Sequence, residues 1–210
     1  MPTEAIGVYA RVKPLATEDR GDVTVIKRFE QQKSIQVRNL EFPLDWIFDE
    51  DAPQDSIYEQ AARERIASVM QGFNSTIMAY GQTGSGKTHT MFGPDSVLHS
   101  FATVDPEVLG IVPRACNQIF EELAARPVDA EFIVQCSYVE VYNDAINDVL
   151  GGKQNLSLRE LPGKGMTIEG LTTEHLGSTE EAMGCLMRGN KNRIVAAMAM
   201  NPRSSRGHGI

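Results

Sequence analysis

Apolar residues along the chain occur in short or alternating runs in some segments and at helical spacing in others, and the two patterns follow one another. The first pattern predicts β-strands, and the second predicts amphipathic helices. The predicted strands cover residues 6–11, 23–29, 34–37, 74–80 and 132–142, followed by a hairpin of residues 156–161 and 166–171 around the turn 162–165. Residues 45–53 are interpreted as an acidic connection between two elements.

The predicted helices cover residues 55–72, 112–125 and 178–197, with an interruption near Gly189 in the last helix and a short helical piece at residues 145–150. Asp55 is predicted to be an N-cap, and Ser178 with Glu181 forms a capping box. Gly93-Pro94 is expected to break the helix that follows residue 86, because proline removes a backbone donor. Capping residues and breakers thus define where each predicted helix begins and ends.

Strands alternating with helices indicate an α/β fold in which a central sheet is flanked by helices. Ligands in such folds bind at the carboxyl ends of the strands. The chain has 210 residues, which is one domain's worth of sequence, and it shows no repeat, low-complexity tract or interdomain linker. We therefore expect a single domain over residues 1–210.

Composition narrows the classes of function. Hydrophobic residues make up 41% of the chain, charged residues 23%, and the formal net charge is -8. Nucleic-acid binding is not expected, because phosphate contacts are built from surplus Lys and Arg. A cytosolic protein without membrane insertion is expected, because no apolar run approaches about 18 residues and no signal-peptide core is present. Cys116, Cys136 and Cys185 are expected to be small buried residues rather than disulfides or zinc ligands.

The segment that follows the predicted strand 74–80 carries the most informative motif of the chain. Gly81-Gln82-Thr83-Gly84-Ser85-Gly86-Lys87-Thr88 matches G-x-x-x-x-G-K-[ST], the P-loop that binds nucleotide phosphates. Gly84 and Gly86 allow the backbone to turn tightly around an anion. Lys87 is expected to neutralise the β- and γ-phosphates, and the Thr88 hydroxyl is expected to ligate Mg²⁺. A glycine-rich surface turn with a solvated lysine is the alternative interpretation.

Other segments identify a family when they are taken together with the P-loop. Asn201-Pro202-Arg203-Ser204-Ser205-Arg206-Gly207-His208 resembles the N-x-x-S-S-R-S-H switch I loop of kinesins, and residues 81–90 resemble their G-Q-T-x-x-G-K-T-x-T form of the P-loop. Arg11-Val12-Lys13-Pro14 is similar to the kinesin segment R-x-R-P, and Asn192-Arg193 also resembles the family. The chain therefore resembles the N-terminal portion of a kinesin motor head that ends at switch I, an incomplete P-loop NTPase-type sheet flanked by helices.

This resemblance implies an ATP-dependent microtubule motor, which is a microtubule-stimulated ATPase with ATP and Mg²⁺ as cofactors and tubulin as partner. It implies that residues 81–88 hold the phosphates. It also implies that Pro14 and His89 stack on the adenine ring, with Arg11 alongside. The chemistry is consistent, because phosphoryl transfer depends mostly on positioning and on charge stabilisation.

For the switch I segment, the resemblance implies that Ser204 and Ser205 close on the γ-phosphate and the Mg²⁺ shell, with Ser205 as a metal ligand. Arg206 is implied to pair with a switch II glutamate and to close a gate around the attacking water. Ordering of a loop by γ-phosphate contacts is a known way to signal the nucleotide state.

Two features depart from the family pattern. Gly207 stands where kinesins have serine, which removes a hydroxyl and adds backbone freedom, so Gly207→Ser is expected to raise turnover. No D-x-x-G-x-E segment of switch II and no later core strands follow within the sequence. Their absence is expected to leave unpaired strand edges and exposed apolar surface, and hence poor independent folding.

Two hypotheses follow from the sequence. In the first, the rest of the head, the neck and any coiled coil lie beyond Ile210, and the chain is part of a motor. In the second, the 210 residues are a truncated, non-motile nucleotide-binding or interaction module without ATP turnover. A GTPase is disfavoured, because the sequence contains no N-K-x-D segment and because Pro14 with His89 suits adenine.

The subfamily is indicated by residues 137–143 and 170–201, which resemble the kinesin-nine group, associated with cilia and flagella. The resemblance implies a location in the cytoplasm on the microtubule cytoskeleton, with the cilium or flagellum for that group, and dimerisation through a region outside these residues. Arg159 and Lys164 lie on a hairpin that in kinesins reaches toward the microtubule, and two solvated charges are the alternative.

Overall fold

Short strands and five α-helices alternate in the computed structural model, which describes residues 6–14, 26–29, 33–37, 39–127, 131–163, 165–200 and 207–210. In chain order the elements are β1 (Tyr9–Arg11), β2 (Ile26–Phe29), β3 (Ser34–Val37), β4 (Leu40–Pro43), β5 (Trp46–Phe48), α1 (Gln54–Ala61), α2 (Arg63–Met70), α3 (Lys87–Met91), α4 (Ile111–Ala124), β6 (Val134–Cys136), β7 (Val139–Tyr142), β8 (Ala145–Asp148), β9 (Leu158–Leu161), β10 (Gly165–Ile168), β11 (Glu174–Leu176), α5 (Thr179–Met200) and β12 (His208–Gly209). Three 3₁₀ turns, Asp95–Leu98, Phe101–Thr103 and Pro106–Val108, connect α3 to α4.

Within the described ranges the strands form five small sheets. Strands β1 and β5 pair in parallel, with Tyr9 opposite Trp46, whereas β2, β3 and β4 form an antiparallel meander. Strand β7 lies between β8 and β12, and β6 pairs with β11. This mixture of strands and packed helices confirms the prediction of an α/β fold.

Two buried clusters join the helices to the strands. The first contains Phe48, Ile57, Tyr58, Ala62 and Ile111, which brings β5, α1 and α4 together. The second contains Val97, Leu109 and Met183 and packs α5 against the 3₁₀ turns that follow α3. Burial of these apolar side chains is the main source of stability at both contacts.

Several sequence predictions are confirmed. Helix α4 begins and ends within one residue of the predicted range, and β9 pairs with β10 across the predicted turn. Gly93-Pro94 follows directly on the end of the short helix α3, as proline geometry requires. The capping box also forms: Ser178 Oγ accepts from the Glu181 N–H at 3.2 Å, and Glu181 Oε2 accepts from the Gly177 N–H at 2.6 Å.

The prediction of a strand at residues 74–80 is wrong for the structure described, because no described strand pairs with this segment. Met78 is 82% exposed and Tyr80 is 96% exposed. An apolar, β-branched run indicates where a strand can form, but a strand also needs a neighbour for its ladder of hydrogen bonds. Exposed apolar surface is thus observed in this segment, whereas the unpaired strand edges and poor independent folding stay predictions.

The predicted helical piece at residues 145–150 is also wrong, because these residues begin with strand β8. Asn143 and Asp144 both have positive φ angles, 49° and 60°, and they turn β7 directly into β8. Asn and Asp tolerate this left-handed conformation, which a two-residue hairpin with the native twist requires. The hairpin then sets the register of β8 against β7, and the local helical spacing is overridden.

Element boundaries account for the other differences. The helix predicted over residues 55–72 is divided at Ala62, and Pro53 rather than Asp55 is its N-cap; Asp55 Oδ1 instead accepts from the N–H of Ser56 at 2.7 Å. The acidic connection contains strand β5, and the long strand 132–142 is divided into β6 and β7. Helix α5 shows no interruption at Gly189.

The cysteines are free thiols in apolar surroundings. Cys185 is fully buried, and Cys116 and Cys136 are half-buried. Burial raises the pKa of Cys116 to about 11 and that of Cys185 to about 12. In the part of the chain that the structure describes, no cluster of His, Cys, Asp and Glu is arranged to hold a metal ion, and no helix combines the length and apolarity needed to cross a membrane.

The hydroxyl of Tyr58 gives a stability prediction for the first cluster. It donates to Gln118 Oε1 in the buried contact between α1 and α4, and burial raises the pKa of Tyr58 to about 12. Tyr58→Phe leaves this acceptor without its donor and is expected to cost about 1 kcal/mol of unfolding free energy, measured by urea denaturation. Tyr142→Phe is the control, because its hydroxyl has no hydrogen-bond partner within the described ranges. Equal losses in the two variants would contradict the prediction.

Candidate functional site

The glycine-rich loop of residues 81–86 leads directly into helix α3. Gly84 and Gly86 have φ angles of 78° and 96°, in the left-handed region that side-chain-bearing residues rarely adopt. The Ser85 N–H donates to Gln82 O at 3.2 Å, which closes a turn inside the loop. Gln82, Thr83 and Gly84 are exposed at its crest. The loop is therefore a tight, solvent-facing turn of the kind that the motif predicts.

Lys87, the first residue of α3, folds its side chain back over the loop. Its Nζ donates to Gly81 O and to Gln82 O, each at 2.8 Å. The backbone N–H groups of Gly86, Lys87 and Thr88 have no acceptor in the part of the chain that the structure describes. The loop thus combines a cation with backbone donors that have no acceptor within the described residues, a combination that suits a phosphate group.

Strand β1 is joined to this loop by a buried polar contact. Arg11 Nη1 donates to Gln54 Oε1 at 3.1 Å and to Thr90 Oγ1 at 3.0 Å, and Gln54 Nε2 donates to the carbonyl of His89 at 2.7 Å. Partial burial lowers the pKa of the Arg11 guanidinium. Arg11 and Gln54 together therefore hold α3 against β1 and α1, and the Arg11 side chain is engaged with protein groups beside His89.

The segment after β1 reaches the crest of the loop. Lys13 Nζ donates to Gly84 O at 2.9 Å, and Pro14 is exposed next to it. His89 is exposed on α3, and desolvation together with the charge of Arg11 lowers its pKa despite the opposing effect of Asp95. The lowered pKa favours the uncharged form of the His89 ring at neutral pH. Residues 11–14 thus contact the loop, and Pro14 and His89 are both exposed.

Two members of this site, Gln54 and Lys13, are not indicated by the sequence patterns. Gln54 is only 6% exposed and connects Arg11 to His89, but its position at the start of a helix indicates nothing about a contact across the fold. Lys13 lies within the recognised segment, yet its bond to Gly84 depends on the approach of two elements 71 residues apart. The only available signal was the sequence proximity of Lys13 to Pro14.

The other predicted residues are distributed as follows. Thr88 is exposed on the first turn of α3, next to Lys87. Ser204, Ser205 and Arg206 lie outside the described residues, as does Lys164 of the β9–β10 turn. The described chain resumes at Gly207, and β12 pairs antiparallel with β7, with His208 opposite Val141.

Comparisons with known proteins agree on one family. The family model "Kinesin motor domain" matches residues 11–210. The chain is 37% identical over 208 residues to "Kinesin-1 heavy chain" of Rattus norvegicus, and 37% identical over 210 residues to "Kinesin-related protein 5" of Dictyostelium discoideum. In both cases the match covers 98% of this chain but only 21% of the relative, so the chain spans about a fifth of the length of these curated proteins.

A solved structure has the same fold. It is described as "Structure of a fast kinesin: Implications for ATPase mechanism and interactions with microtubules", and it superposes with a TM-score of 0.87 at 31% sequence identity. The superposition covers 98% of this chain and 58% of that chain. The predicted resemblance to a kinesin motor head is therefore confirmed for the fold.

Proposed function

Because the chain belongs to the kinesin motor domain family, we propose that its full-length protein is an ATP-dependent microtubule motor, with ATP hydrolysis stimulated by microtubules. The observation that carries this proposal is the loop of residues 81–86 with the Lys87 ammonium folded onto it, in a chain matched by the family model over residues 11–210. A cation next to unpaired backbone donors is the arrangement that binds nucleotide phosphates.

The nucleotide contacts that we propose use the residues grouped around this loop. Residues 81–88 bind the phosphates, with Lys87 exchanging its two carbonyl acceptors for phosphate oxygens. Pro14 and the uncharged His89 ring border the adenine, and Arg11 holds α3 in place from the side. An uncharged His89 suits this role because stacking on a base requires no charge and costs less desolvation than an imidazolium.

A bound Mg²⁺ would neutralise charge on the β- and γ-phosphates. We propose that the hydroxyls of Thr88 and Ser205 hold it. Thr88 fits this role because it is exposed directly after Lys87 on α3. Ser204 is proposed to close on the γ-phosphate beside Ser205, and Arg206 is proposed to pair with a switch II glutamate outside these residues. These roles rest on the resemblance of residues 201–208 to switch I.

For the organisation of the protein, we propose that residues 1–210 are the N-terminal portion of the motor head, with switch I in residues 201–208. This is supported by the superposition, which covers 58% of the solved kinesin chain. We further propose a location on the microtubule cytoskeleton of the cytoplasm, in cilia or flagella on the strength of the kinesin-nine resemblance, and dimerisation through a region outside these residues.

Nucleotide binding and turnover of the full-length protein test the proposal. We expect saturable ATP binding in the presence of Mg²⁺, weaker binding of GTP, and ATP hydrolysis that increases when microtubules are added. ATP binding without hydrolysis at any microtubule concentration would instead support the non-motile nucleotide-binding module. Absence of ATP binding would overturn both candidates.

A variant at Arg206 separates binding from hydrolysis. Arg206→Ala is expected to leave the equilibrium dissociation constant for ATP within about twofold of wild type while lowering kcat about tenfold, because an interaction made only after binding contributes to the rate and not to ground-state affinity. Arg203→Ala is the matched control, since it removes an arginine at a variable position of the same motif. Parallel losses of ATP binding and turnover in Arg206→Ala would show that its role has been misassigned.

A further inference from the structure

A second polar cluster lies away from the glycine-rich loop, where α5, β7 and β12 meet. Arg193 of α5 uses each of its three guanidinium nitrogens there. Nε donates to Glu140 Oε1 at 3.0 Å, Nη1 donates to the Tyr138 hydroxyl at 3.1 Å, and Nη2 donates to the carbonyl of Gly207 at 3.0 Å. One side chain therefore connects a helix, the central strand of a sheet and the backbone residue that directly follows Arg206.

Burial makes this contact different from the surface ion pairs. The side chains of Arg193 and Glu140 are only 23% and 15% exposed, whereas those of the Arg159–Glu169 pair are 63% and 61% exposed. Tyr138 is buried, and the Arg193 guanidinium lies 6.0 Å from the centroid of its ring. Water screens the Arg193–Glu140 pair weakly, and loss of one partner leaves a poorly solvated charge behind.

The backbone of residues 207–209 approaches this cluster too closely for a side chain. A Cβ atom at position 207 would lie 2.2 Å from Glu140 Oε1, and one at position 209 would lie 2.9 Å from Arg193 Nη1. Glu140 has little freedom to move aside, because its carboxylate is bonded to Arg193. A side chain at position 207 therefore requires the Glu140 side chain to move away from Arg193, which argues against the expectation that serine raises turnover there; that expectation stays a prediction.

Backbone hydrogen bonds also attach residues 208–210 to strand β7. His208 and Gly209 pair with Val141 and Glu140 of β7, and the Ile210 N–H donates to Val139 O at 2.9 Å. Helix α5 fits closely against the same strand, because a Cβ at Gly189 would lie 2.3 Å from Tyr138 Cδ1. The position of Gly207 is therefore determined jointly by β7, through the pairing of β12, and by α5, through the bond from Arg193 to the Gly207 carbonyl.

We propose that Arg193 and Glu140 are positioning residues, which fasten β12 to β7 and thereby set the point from which the chain leaves Arg206. They touch neither nucleotide nor metal in this proposal, and they act on the reaction only through the placement of Gly207. The part concerning catalysis rests on the function proposed above, whereas the attachment of β12 does not depend on it.

Hydrogen exchange of the full-length protein tests the attachment without any activity measurement. In Arg193→Met, the amides of His208 and Ile210, which face β7, are expected to exchange about tenfold faster than in wild type, because local opening becomes easier. The amides of β9 and β10 should keep their wild-type rates. Arg159→Met, which removes the exposed ion pair, is the matched control and should leave β12 unchanged. Wild-type exchange of β12 in Arg193→Met would overturn the proposal.

A double-mutant cycle tests whether the Glu140 side chain excludes a side chain at position 207. Gly207→Ala is expected to accelerate exchange of β12 about tenfold in the wild-type background, because its methyl group collides with the Glu140 carboxylate. In the Glu140→Ala background the same substitution should add less than about twofold, because the colliding atoms are absent. Additive effects would overturn the assignment of Glu140 as the group that requires glycine. If Arg193→Met fails to fold, Arg193→Lys and this cycle still decide the question.

Turnover distinguishes a positioning role from a merely structural one. Arg193→Lys keeps the charge but loses the fork of three directed donors, so kcat for ATP hydrolysis is expected to fall about tenfold, with the dissociation constant for ATP within about twofold of wild type. Wild-type kcat together with faster exchange would overturn the positioning role alone. Failure of the wild-type protein to hydrolyse ATP would overturn the proposed function and this role, and exchange would still decide the attachment.

Discussion

Lys87→Ala is expected to weaken ATP binding at least about 30-fold, which corresponds to about 2 kcal/mol of binding free energy. The Lys87 ammonium donates to two carbonyls of the glycine-rich loop, Gly81 O and Gln82 O, each at 2.8 Å, whereas Lys13 Nζ donates to Gly84 O. When phosphate oxygens replace these carbonyls, the Lys87 ammonium donates to a negatively charged acceptor instead of to two neutral ones. Alanine removes that gain and leaves the glycine-rich backbone otherwise intact.

The measurement is equilibrium binding of ATP to the full-length protein in the presence of Mg²⁺. Lys191→Ala is the matched control, because Lys191 is an exposed lysine on α5. It removes the same charge from the protein and is expected to change ATP affinity less than about twofold, since exposed charges at a distance are screened. Unchanged ATP affinity in Lys87→Ala would argue against the whole assignment of residues 81–88 as a phosphate-binding loop.

Asp148→Ala is expected to lower the free energy of unfolding by about 3 kcal/mol or more, because it removes a buried acceptor from several donors at once. The Asp148 side chain is fully buried at the end of β8. Its Oδ1 accepts from the N–H groups of Leu150 and Gly151 at 3.1 and 2.9 Å, and its Oδ2 accepts from the N–H of Thr172 at 3.0 Å. The carboxylate thus connects the turn after β8 with the segment that leads into β11.

The dependence of this effect on pH follows from the pKa of Asp148. Burial acts to raise the pKa, but the hydrogen bonds from Thr172, Gly151 and Leu150 outweigh it and hold the pKa below the ordinary value of 3.8. A carboxyl with a lowered folded-state pKa stabilises the protein above its unfolded pKa, and this stabilisation is lost as the pH falls through the folded-state pKa. The stabilisation by Asp148 is therefore complete above the unfolded-state pKa and decreases as the pH falls below it.

Urea unfolding of wild type, Asp148→Ala and Asp148→Asn between pH 7 and pH 3 measures both effects. The difference between wild type and Asp148→Asn should be constant from pH 7 to about pH 5 and should shrink below about pH 4, where the wild-type group begins to protonate in the unfolded state. Asp51→Ala is the control, because Asp51 is exposed and its backbone is not in the left-handed region. A loss in Asp148→Ala no larger than in this control would contradict the structural role of Asp148.

Much of the local structure could be predicted from the sequence, and the errors have a common cause. Helix α4, the β9–β10 hairpin and the capping box at Ser178 depend on side chains and turns close together in sequence, so their patterns were sufficient. The segment 74–80 and strand β8 were misassigned because their conformation depends on neighbours: the first lacks a described ladder partner, and the second is paired by the hairpin turn at Asn143.

In the candidate site, too, features that depend on adjacent residues were predictable, whereas features that depend on distant residues were not. The sequence by itself determined the P-loop motif, the left-handed glycines at 84 and 86 and the lysine that bonds to the loop, because these are properties of adjacent residues. Only the tertiary structure decided that Arg11 and Gln54 contact α3, and that Glu140 and Arg193 pair beside the backbone of Gly207. Such contacts join residues 35 to 79 positions apart, and their geometry exists only after the helices and strands have packed together.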